Sequence, residues 1–440
     1  SRACGASSAP PNPSRSSRAR AAAAAADNSF LIRNATVYPV SGPKLQNASV
    51  LVIDGKIAEV GERVQTRAKV RVIDGRGLHV YPGMIDAATL VGISEISSVR
   101  ETADVGEVGE FNPQLRASIA VNPESEHIPV TRANGITSVG VLAAGVTGGF
   151  GFGELSFIGG QISLMSLDGW TWEEMVIQHG AAMQLRLPGI ETRRRNPMTG
   201  ELTTTPFSEA RRRQEANLQK VRAFFEEARR YQTAKSAKAA GLKTDLRFEA
   251  MLPVLEGRLP VFIPAARERE IRDAIAFAER EKIKIILAGV RRPGAAAEEI
   301  AKRKIPVILG SPFVPAMEED DPYDATFTVA AELHRAGVKF AFASFGAQFA
   351  RNLPYQAGQS AAYGLPYDAA LKAVTLNAAE IYGVADRLGS IEPGKQADLI
   401  VTDGDPLEIR TQVKMMFIKG QAVDLESKHT RLYRKYRARP

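Results

Sequence analysis

The clearest fold signal of this 440-residue chain is the stretch Val80-Tyr81-Pro82-Gly83-Met84-Ile85-Asp86-Ala87-Ala88-Thr89-Leu90. An apolar strand ends in a Pro-Gly turn, and a second short apolar strand follows it at once. Proline and glycine are the strongest local breakers of regular structure. We therefore place a domain boundary at this turn, after residue 82, and analyse the two sides separately.

Alternating apolar and polar residues mark short strands near both ends of the chain. They are residues 30–40, 48–53, 56–61, 397–402 and 413–418. Asp54-Gly55 stands between two of them, and this dipeptide is typical of a type I′ hairpin turn. Because the strands lie at both ends, with a long middle between them, they predict one small composite β-sandwich domain, formed by residues 28–82 and 386–425.

Between these ends, short apolar strands alternate with amphipathic helices. The strands are residues 136–142, 260–263, 283–287, 306–309 and 338–343. Residues at helical spacing, such as Ile271, Ala274, Ile275 and Ala278, predict the buried stripe of one helix between them. Longer helices are expected after Pro206 and over residues 368–384. The alternation predicts an α/β fold with a (β/α)8 TIM-like barrel over residues 83–385.

Most of the net charge of +8 lies near the ends of the chain. Four arginines precede residue 27 and six basic residues follow residue 427, which leaves about −2 for the part between them. This near-neutral part shows no basic face with interleaved aromatic residues, which argues against nucleic-acid binding. Residues 426–440 are predicted to be a solvated basic tail, and the alternative is contact with an anionic partner or a membrane surface.

Residues 1–27 are too poor in large apolar side chains to fold, so they predict a disordered leader or linker. Cys4 is the single cysteine of the chain and cannot form an internal disulfide. The segment that begins at Cys4 resembles the start of a mature bacterial lipoprotein, although Arg2 departs from a lipobox. A lipid anchor at Cys4 is therefore an alternative to an unmodified leader.

Several segments resemble motifs of a known superfamily. They are PGMID at 82–86, RNLPYQAG at 351–358, ALKAVTLNAAE at 370–380 and LGSIEPGKQADLIV at 388–401. From residue 30 to about residue 424, the chain is similar to the metal-dependent amidohydrolase superfamily, in its imidazolonepropionase-like branch. VGEVGEFNP at 105–113, VNPESE at 121–126 and LDGWTW at 167–172 resemble a subgroup of exported bacterial proteins, which implies a periplasmic or cell-envelope location.

The resemblance also indicates where active members hold their metal ions. Four metal-binding histidines correspond to Ala88, Leu90, Pro264 and a position at or near Gly289. The aspartate that accepts a proton from the metal-bound water corresponds to Phe345 or, with a shift of one residue, to Ser344. We take Ala88, Leu90, Pro264, Gly289 and Phe345 as the five positions. None of these five side chains offers a lone pair to a cation. We therefore expect no metal cofactor of the usual kind, and these are vestigial ligand positions.

Other residues offer weaker alternatives. The five histidines do not stand at the carboxyl ends of the predicted strands. Carboxylates cluster after the first barrel strand, and oxygen ligands suit calcium or magnesium, so the alternative is a divalent metal at Glu95 and Glu101. A carboxylated lysine also serves as a ligand in the superfamily. The candidate lysines instead enter their strands, at the opposite rim of the barrel: Lys282, Lys284, Lys304 and Lys339.

The polar groups expected nearest the barrel mouth are the following: Asp86, Arg100, Glu101, Ser344, Arg351 and Asn352. We assign no catalytic residue among them. The glycine-rich residues 148–153 lack the lysine and the spacing of a phosphate-binding loop. They are expected to form a flexible loop over the mouth.

The loss of ligands favours a pseudoenzyme that serves as a binding or assembly subunit. Superfamily barrels commonly associate, so we expect a homo-oligomer, or a hetero-oligomer with a related amidohydrolase or a larger envelope complex. Membrane contact is expected only through Cys4 or the basic tail. The alternative is an active hydrolase of carbon–nitrogen bonds, such as non-peptide or cyclic amides, that uses non-standard ligands.

Overall fold

The computed structural model describes residues 28–65, 69–143, 156–195 and 201–439. The strands in this part of the chain are β1 (Phe30–Val37), β2 (Leu45–Ile53), β3 (Lys56–Gly61), β4 (Arg71–Asp74), β5 (His79–Pro82), β6 (Met84–Thr89), β7 (Ile136–Val141), β8 (Ile158–Ser166), β9 (Val176–Leu185), β10 (Arg193–Arg195), β11 (Leu202–Thr204), β12 (Val261–Pro264), β13 (Ile285–Ala288), β14 (Val307–Leu309), β15 (Phe340–Phe342), β16 (Leu399–Thr402), β17 (Val413–Ile418) and β18 (Gln421–Ala422).

The helices are α1 (His127–Arg132), α2 (Trp172–Met175), α3 (Phe207–Ser236), α4 (Leu246–Leu255), α5 (Glu268–Glu281), α6 (Ala296–Lys302), α7 (Ala325–Arg335), α8 (Leu353–Ala362), α9 (Tyr367–Ala373), α10 (Leu376–Ile381) and α11 (Lys428–Arg437). Short 3-10 helices lie at Arg100–Thr102, Ala117–Ala120 and Ala350–Asn352. None of the helices in the described ranges is long and apolar enough to span a membrane.

Strands from both ends of the chain form one sheet. Its order is β18-β17-β16-β5-β1-β2-β3, and β4 also pairs with β1. The sheet buries a compact apolar cluster, in which the rings of Phe30 and Phe417 stack with their centroids 4.2 Å apart. The predicted partnership of the two ends is therefore observed, but the strands pair into a single sheet of eight, and the two-sheet sandwich is not confirmed.

The second sheet is a nearly closed barrel of eight strands in the order β6-β7-β8-β9-β12-β13-β14-β15. Strands β12 to β15 are parallel to one another and alternate with helices α5, α6 and α7. Strand β8 runs antiparallel to both of its neighbours, β7 and β9. The TIM-like barrel is thus supported, while the strict (β/α)8 repeat is replaced on one side by an antiparallel β7-β8-β9 segment without long helices.

Gly83 explains the sharp turn between the two sheets. A Cβ at this position would stand 2.1 Å from the Thr137 hydroxyl oxygen on β7, which is closer than atoms can approach. Only glycine allows β6 to pack this closely against β7. Pro82 and Gly83 therefore end one sheet and allow the next one to begin.

The barrel is filled by apolar side chains. Phe262, Ile286 and Ile308 are buried in its interior together with several alanines. Outside the sheet, helix α5 buries the stripe that its sequence spacing predicts, with Ile271 and Ala274 fully buried. The predicted helix over 368–384 is instead two helices, α9 and α10. It breaks because the Val374 carbonyl accepts a hydrogen bond from the Ile85 N–H of β6 (2.8 Å).

Candidate functional site

The carboxyl ends of β6 and β15 meet where the barrel sheet closes. The Ser344 N–H donates to Asp86 Oδ1 (2.9 Å), and the Ala88 N–H donates to the same oxygen (3.3 Å). The Phe345 N–H donates to the Ala88 carbonyl (2.8 Å). Asp86 therefore joins the end of β15 to the end of β6, which gives this carboxylate a structural role at the barrel mouth.

Two hydroxyl groups extend this junction. Ser344 Oγ and Thr89 Oγ1 lie 2.9 Å apart, and each lies 2.8 Å from the Gly346 carbonyl oxygen. Thr89 is absent from the residues expected at the mouth. The sequence carried a signal for it, because Thr89 stands between the two vestigial positions Ala88 and Leu90.

Asp86 is fully buried, and within the described residues its Oδ2 has no hydrogen-bond partner. Burial disfavours the charged form and raises the pKa of Asp86 to about 7, although hydrogen bonds from Ser344 oppose the shift. Nearby, the Tyr382 hydroxyl donates to the Ala87 carbonyl (2.5 Å). Burial also raises the pKa of Tyr382, and the charge of Asp86 adds to the effect. Asp86 is thus poised to change its protonation state near neutral pH.

Three of the vestigial ligand positions belong to the apolar lining. Ala88 is fully buried, and Leu90 and Phe345 pack against the apolar interior of the barrel. Phe345 has a left-handed φ of 54°, which is unusual for a bulky residue. Its ring centroid lies 6.3 Å from that of Phe262. Apolar groups therefore occupy the space beside Asp86.

The other two vestigial positions end neighbouring strands. Pro264 is the last residue of β12 and pairs with Ala288 of β13. Gly289 follows β13, and its N–H donates to the Ile308 carbonyl (2.8 Å). A Cβ at Gly289 would meet no atom within 4 Å, so neighbouring atoms do not exclude a side chain there, although its φ of 68° favours glycine.

These residues do not fit the metal ions of the superfamily. Across the described ranges, no three or more histidine, cysteine, aspartate or glutamate side chains are grouped so that they could hold a cation. Glu95 is half-buried and has one unpartnered oxygen, Oε1. Glu101 is exposed on the 3-10 helix Arg100–Thr102. The alternative divalent site at Glu95 and Glu101 therefore lacks a third protein ligand in the part of the chain that is described.

The other residues expected at the mouth have different local contacts. Arg100 is exposed beside Glu101. The Arg351 carbonyl accepts a hydrogen bond from Asn134 Nδ2 (2.7 Å), next to α1, and Asn352 immediately precedes helix α8. From that group, a hydrogen bond joins Asp86 and Ser344. Cys4, the leader and the glycine-rich residues 148–153 lie outside the described residues.

Comparison with known proteins identifies relatives of this architecture. A family model described as "Amidohydrolase family" matches residues 318–423. An amidohydrolase structure from Thermotoga maritima MSB8 is 27% identical, covers 90% of this chain and 99% of its own, and superposes with a TM-score of 0.76. A zinc-bound adenosine deaminase from Xanthomonas campestris shares the fold at 18% identity, with a TM-score of 0.50 over 93% of this chain and 97% of its own.

A curated relative, "Amidohydrolase tasK" of Hapsidospora irregularis, is 24% identical over 434 residues. The match covers 89% of this chain but only 43% of that relative, so the chain spans less than half of its length. The family model lies over the barrel closure and β16 to β18, and the structural similarity extends over both sheets. In its sequence match over residues 318–423 and in its architecture, this chain is similar to members of the amidohydrolase superfamily.

Proposed function

We propose that this chain is a pseudoenzyme of the amidohydrolase superfamily, in its imidazolonepropionase-like branch, and that it serves as a binding or assembly subunit. The proposal rests on the apolar side chains that stand at the positions corresponding to the metal ligands of active members. Leu90 and Phe345 pack against the barrel interior at positions where active members hold a ligand and a proton acceptor.

The chemistry of the donor set supports this proposal. Hydrolysis in the superfamily depends on a metal that lowers the pKa of a bound water to about 7. The five corresponding positions supply no donor side chain for such a metal; they are Ala88, Leu90, Pro264, Gly289 and Phe345. Asp86 remains, but it is fully buried and bonds to the backbone of Ser344 and Ala88. A carboxylate in this setting stabilises the junction between strands.

Assembly and location form part of the same proposal. We place the protein in the periplasm or cell envelope, as a homo-oligomer or as a partner of a related amidohydrolase or a larger complex. The two basic ends of the sequence support contact with an anionic partner. Size-exclusion chromatography with light scattering measures this directly, and a strictly monomeric protein that captures no related subunit would contradict it.

A second candidate function rests on Asp86. Its pKa of about 7 suits a general acid or base at neutral pH, so an active carbon–nitrogen hydrolase with non-standard groups is the alternative. In this alternative Asp86 must become accessible to water, because it is fully buried in the described conformation.

Elemental mass spectrometry and an activity screen together separate the two candidates. The purified protein is dialysed against a weak chelator and measured before and after addition of zinc and manganese. We expect metal well below one equivalent in both samples and no turnover in a screen of acyl amino acids and cyclic amides. One tightly held equivalent of metal would contradict the pseudoenzyme proposal. If a Glu95→Gln/Glu101→Gln variant then lost this metal, the metal would be located at these carboxylates.

A further inference from the structure

A cavity of about 600 Å³ lies at the opposite rim of the barrel, where the strands begin. It lies between the starts of β12, β13 and β14 and the ends of helices α4, α5 and α6. Its charged lining includes Arg258, Lys282, Lys284, Arg303 and Lys304, and apolar groups such as Ile283 form part of its wall. Tyr382 also lines the cavity, and its hydroxyl donates to the Ala87 carbonyl beside the Asp86 junction.

Several charges of the cavity are already neutralised. Arg258 pairs with Glu256, and Arg303 pairs with Glu279 at 2.6 Å. Glu380, which also lines the cavity, pairs with Lys339 at 2.6 Å. The two acidic side chains of the lining, Glu279 and Glu380, are therefore already paired and do not neutralise the charge of the lysines.

Lys282, Lys284 and Lys304 are exposed, and none of them forms an ion pair with any residue that the structure describes. The carboxyl ends of helices α4, α5, α6 and α10 also lie at this rim, and each carries roughly half a negative charge. These partial charges offset about two thirds of the charge of the three lysines. The cavity thus keeps an excess of positive charge, although the chain between residues 27 and 427 is slightly acidic.

The turns that end α5 and α6 place two of these lysines in equivalent positions. Lys282 and Lys304 have φ values of 52° and 53°. In each turn the next N–H reaches back to a helix carbonyl, from Ile283 to Ala278 (3.1 Å) and from Ile305 to Ile300 (3.0 Å).

Helices α4 and α7 end in the same way, but with glycine in the left-handed position. Gly257 has a φ of 68° and Gly337 a φ of 80°. Glycine takes this conformation without steric cost, whereas a lysine does not. Two lysines therefore stand at the cavity in a backbone position where glycine is the less strained residue.

We propose that this cavity binds a small organic dianion, a phosphate or dicarboxylate with an apolar part. Lys282, Lys284 and Lys304 hold the anionic group, and the apolar part contacts the wall that includes Ile283. The proposal does not depend on whether the barrel mouth is catalytic.

Calorimetric titration with 1-naphthyl phosphate in low-salt buffer tests the proposal, with 1-naphthol and inorganic phosphate as comparison probes. We expect saturable 1:1 binding of 1-naphthyl phosphate and much weaker binding of the other two. Tighter binding at higher salt, or equal binding of 1-naphthol, would refute a role for the lysines. Absence of saturable binding of 1-naphthyl phosphate would refute the site itself.

The variant Lys282→Gly/Lys304→Gly removes two charges without disturbing the turns, because glycine fits the left-handed conformation. We expect it to weaken binding by roughly tenfold or more, since it loses charge-assisted hydrogen bonds. The matched control is Lys238→Gly/Lys419→Gly, which loses the same charge at two other left-handed lysines, with φ of 50° and 52°. Equal weakening of binding in the control would show that the effect depends only on the net charge of the protein, and it would overturn the proposal.

A Lys284→Gln variant provides an independent check. Lys284 is exposed and directly precedes β13, so its side chain can change without altering a cap or a buried contact. Binding that is unchanged in both Lys284→Gln and Lys282→Gly/Lys304→Gly would also exclude this cavity as the binding site.

Discussion

The two rims of the barrel differ in the side chains that they present. At the carboxyl ends of the strands, vestigial ligand positions carry apolar groups, and Leu90 and Phe345 pack onto the filled interior. At the amino ends, an open cavity is lined by lysines that form no ion pair with any described residue. In barrel enzymes the loops at the carboxyl ends normally carry function. In this chain, lysines that are free to bind an anion stand at the other rim, where we propose a binding site.

Asp86 also has a structural role at the mouth. It is buried and joins two strand ends through Ser344 and Ala88. A residue that resembles part of a catalytic motif can therefore contribute to the barrel's closure. Experiments that change one rim at a time test the difference between the rims.

The largest expected effect concerns the protonation of Asp86. Its folded pKa of about 7 lies above the usual value of 3.8, so the folded state binds the proton more tightly. The free energy of unfolding should therefore fall as pH rises from about 4 to about 7 and stay level above that range. The predicted contribution is on the order of 4 kcal/mol.

Urea unfolding at pH 4 and pH 8 measures this contribution as the difference between the native protein and Asp86→Asn. Asn keeps the acceptor oxygen but cannot ionise, so the variant should lose most of the decrease. Asp386→Asn is the control, because its side chain is 75% exposed. If native protein and Asp86→Asn gave parallel pH profiles, the carboxyl of Asp86 would not titrate in this range.

A smaller effect is expected from Tyr382→Phe. This change leaves the Ala87 carbonyl without the hydrogen bond that it accepts at 2.5 Å in a fully buried setting. We expect a loss of about 1–3 kcal/mol in the free energy of unfolding. Tyr323→Phe, at an 84% exposed residue, should change it little. Equal stability of the two variants would mean that the hydroxyl contributes nothing to the mouth.

The smallest effect belongs to the other rim. Lys282→Gly/Lys304→Gly should leave the melting temperature unchanged or raise it slightly, because relief of left-handed backbone strain opposes the loss of lysine charge near helix carboxyl ends. Differential scanning calorimetry measures the change. A marked decrease would indicate that the lysines stabilise their turns, and the contrast between a structural mouth and a binding cavity would weaken.

The sequence predicted elements whose signals are local. Strand β3 begins and ends at the residues expected, because Asp54-Gly55 fixes the turn before it, and the buried stripe of α5 follows from its spacing. The antiparallel β8-β9 pair was not expected, although the partners of β8 are the strands just before and after it in the chain. The break between α9 and α10 depends on a contact distant in sequence, because the Ile85 N–H of β6 donates to the Val374 carbonyl.

The candidate site shows the same limit. Residue types alone identified Ala88, Leu90 and Phe345 as side chains without donors. They could not place the Arg351 carbonyl beside Asn134, because that depends on how the chain before α8 packs. The lysines at the strand starts were noted as belonging to the opposite rim. That they form no ion pair with the described residues follows from the three-dimensional structure, in which Arg303 pairs with Glu279 and Lys339 with Glu380.

The sheet built from both chain ends has a consequence for biosynthesis. Strand β5 pairs with β16, about 320 residues later in the chain, so its edge is unpaired while most of the polypeptide is being made. An exposed strand edge readily pairs with other chains. The nascent protein therefore passes through a long interval in which β1 to β5 are prone to aggregate, and ribosome-associated chaperones should increase its yield.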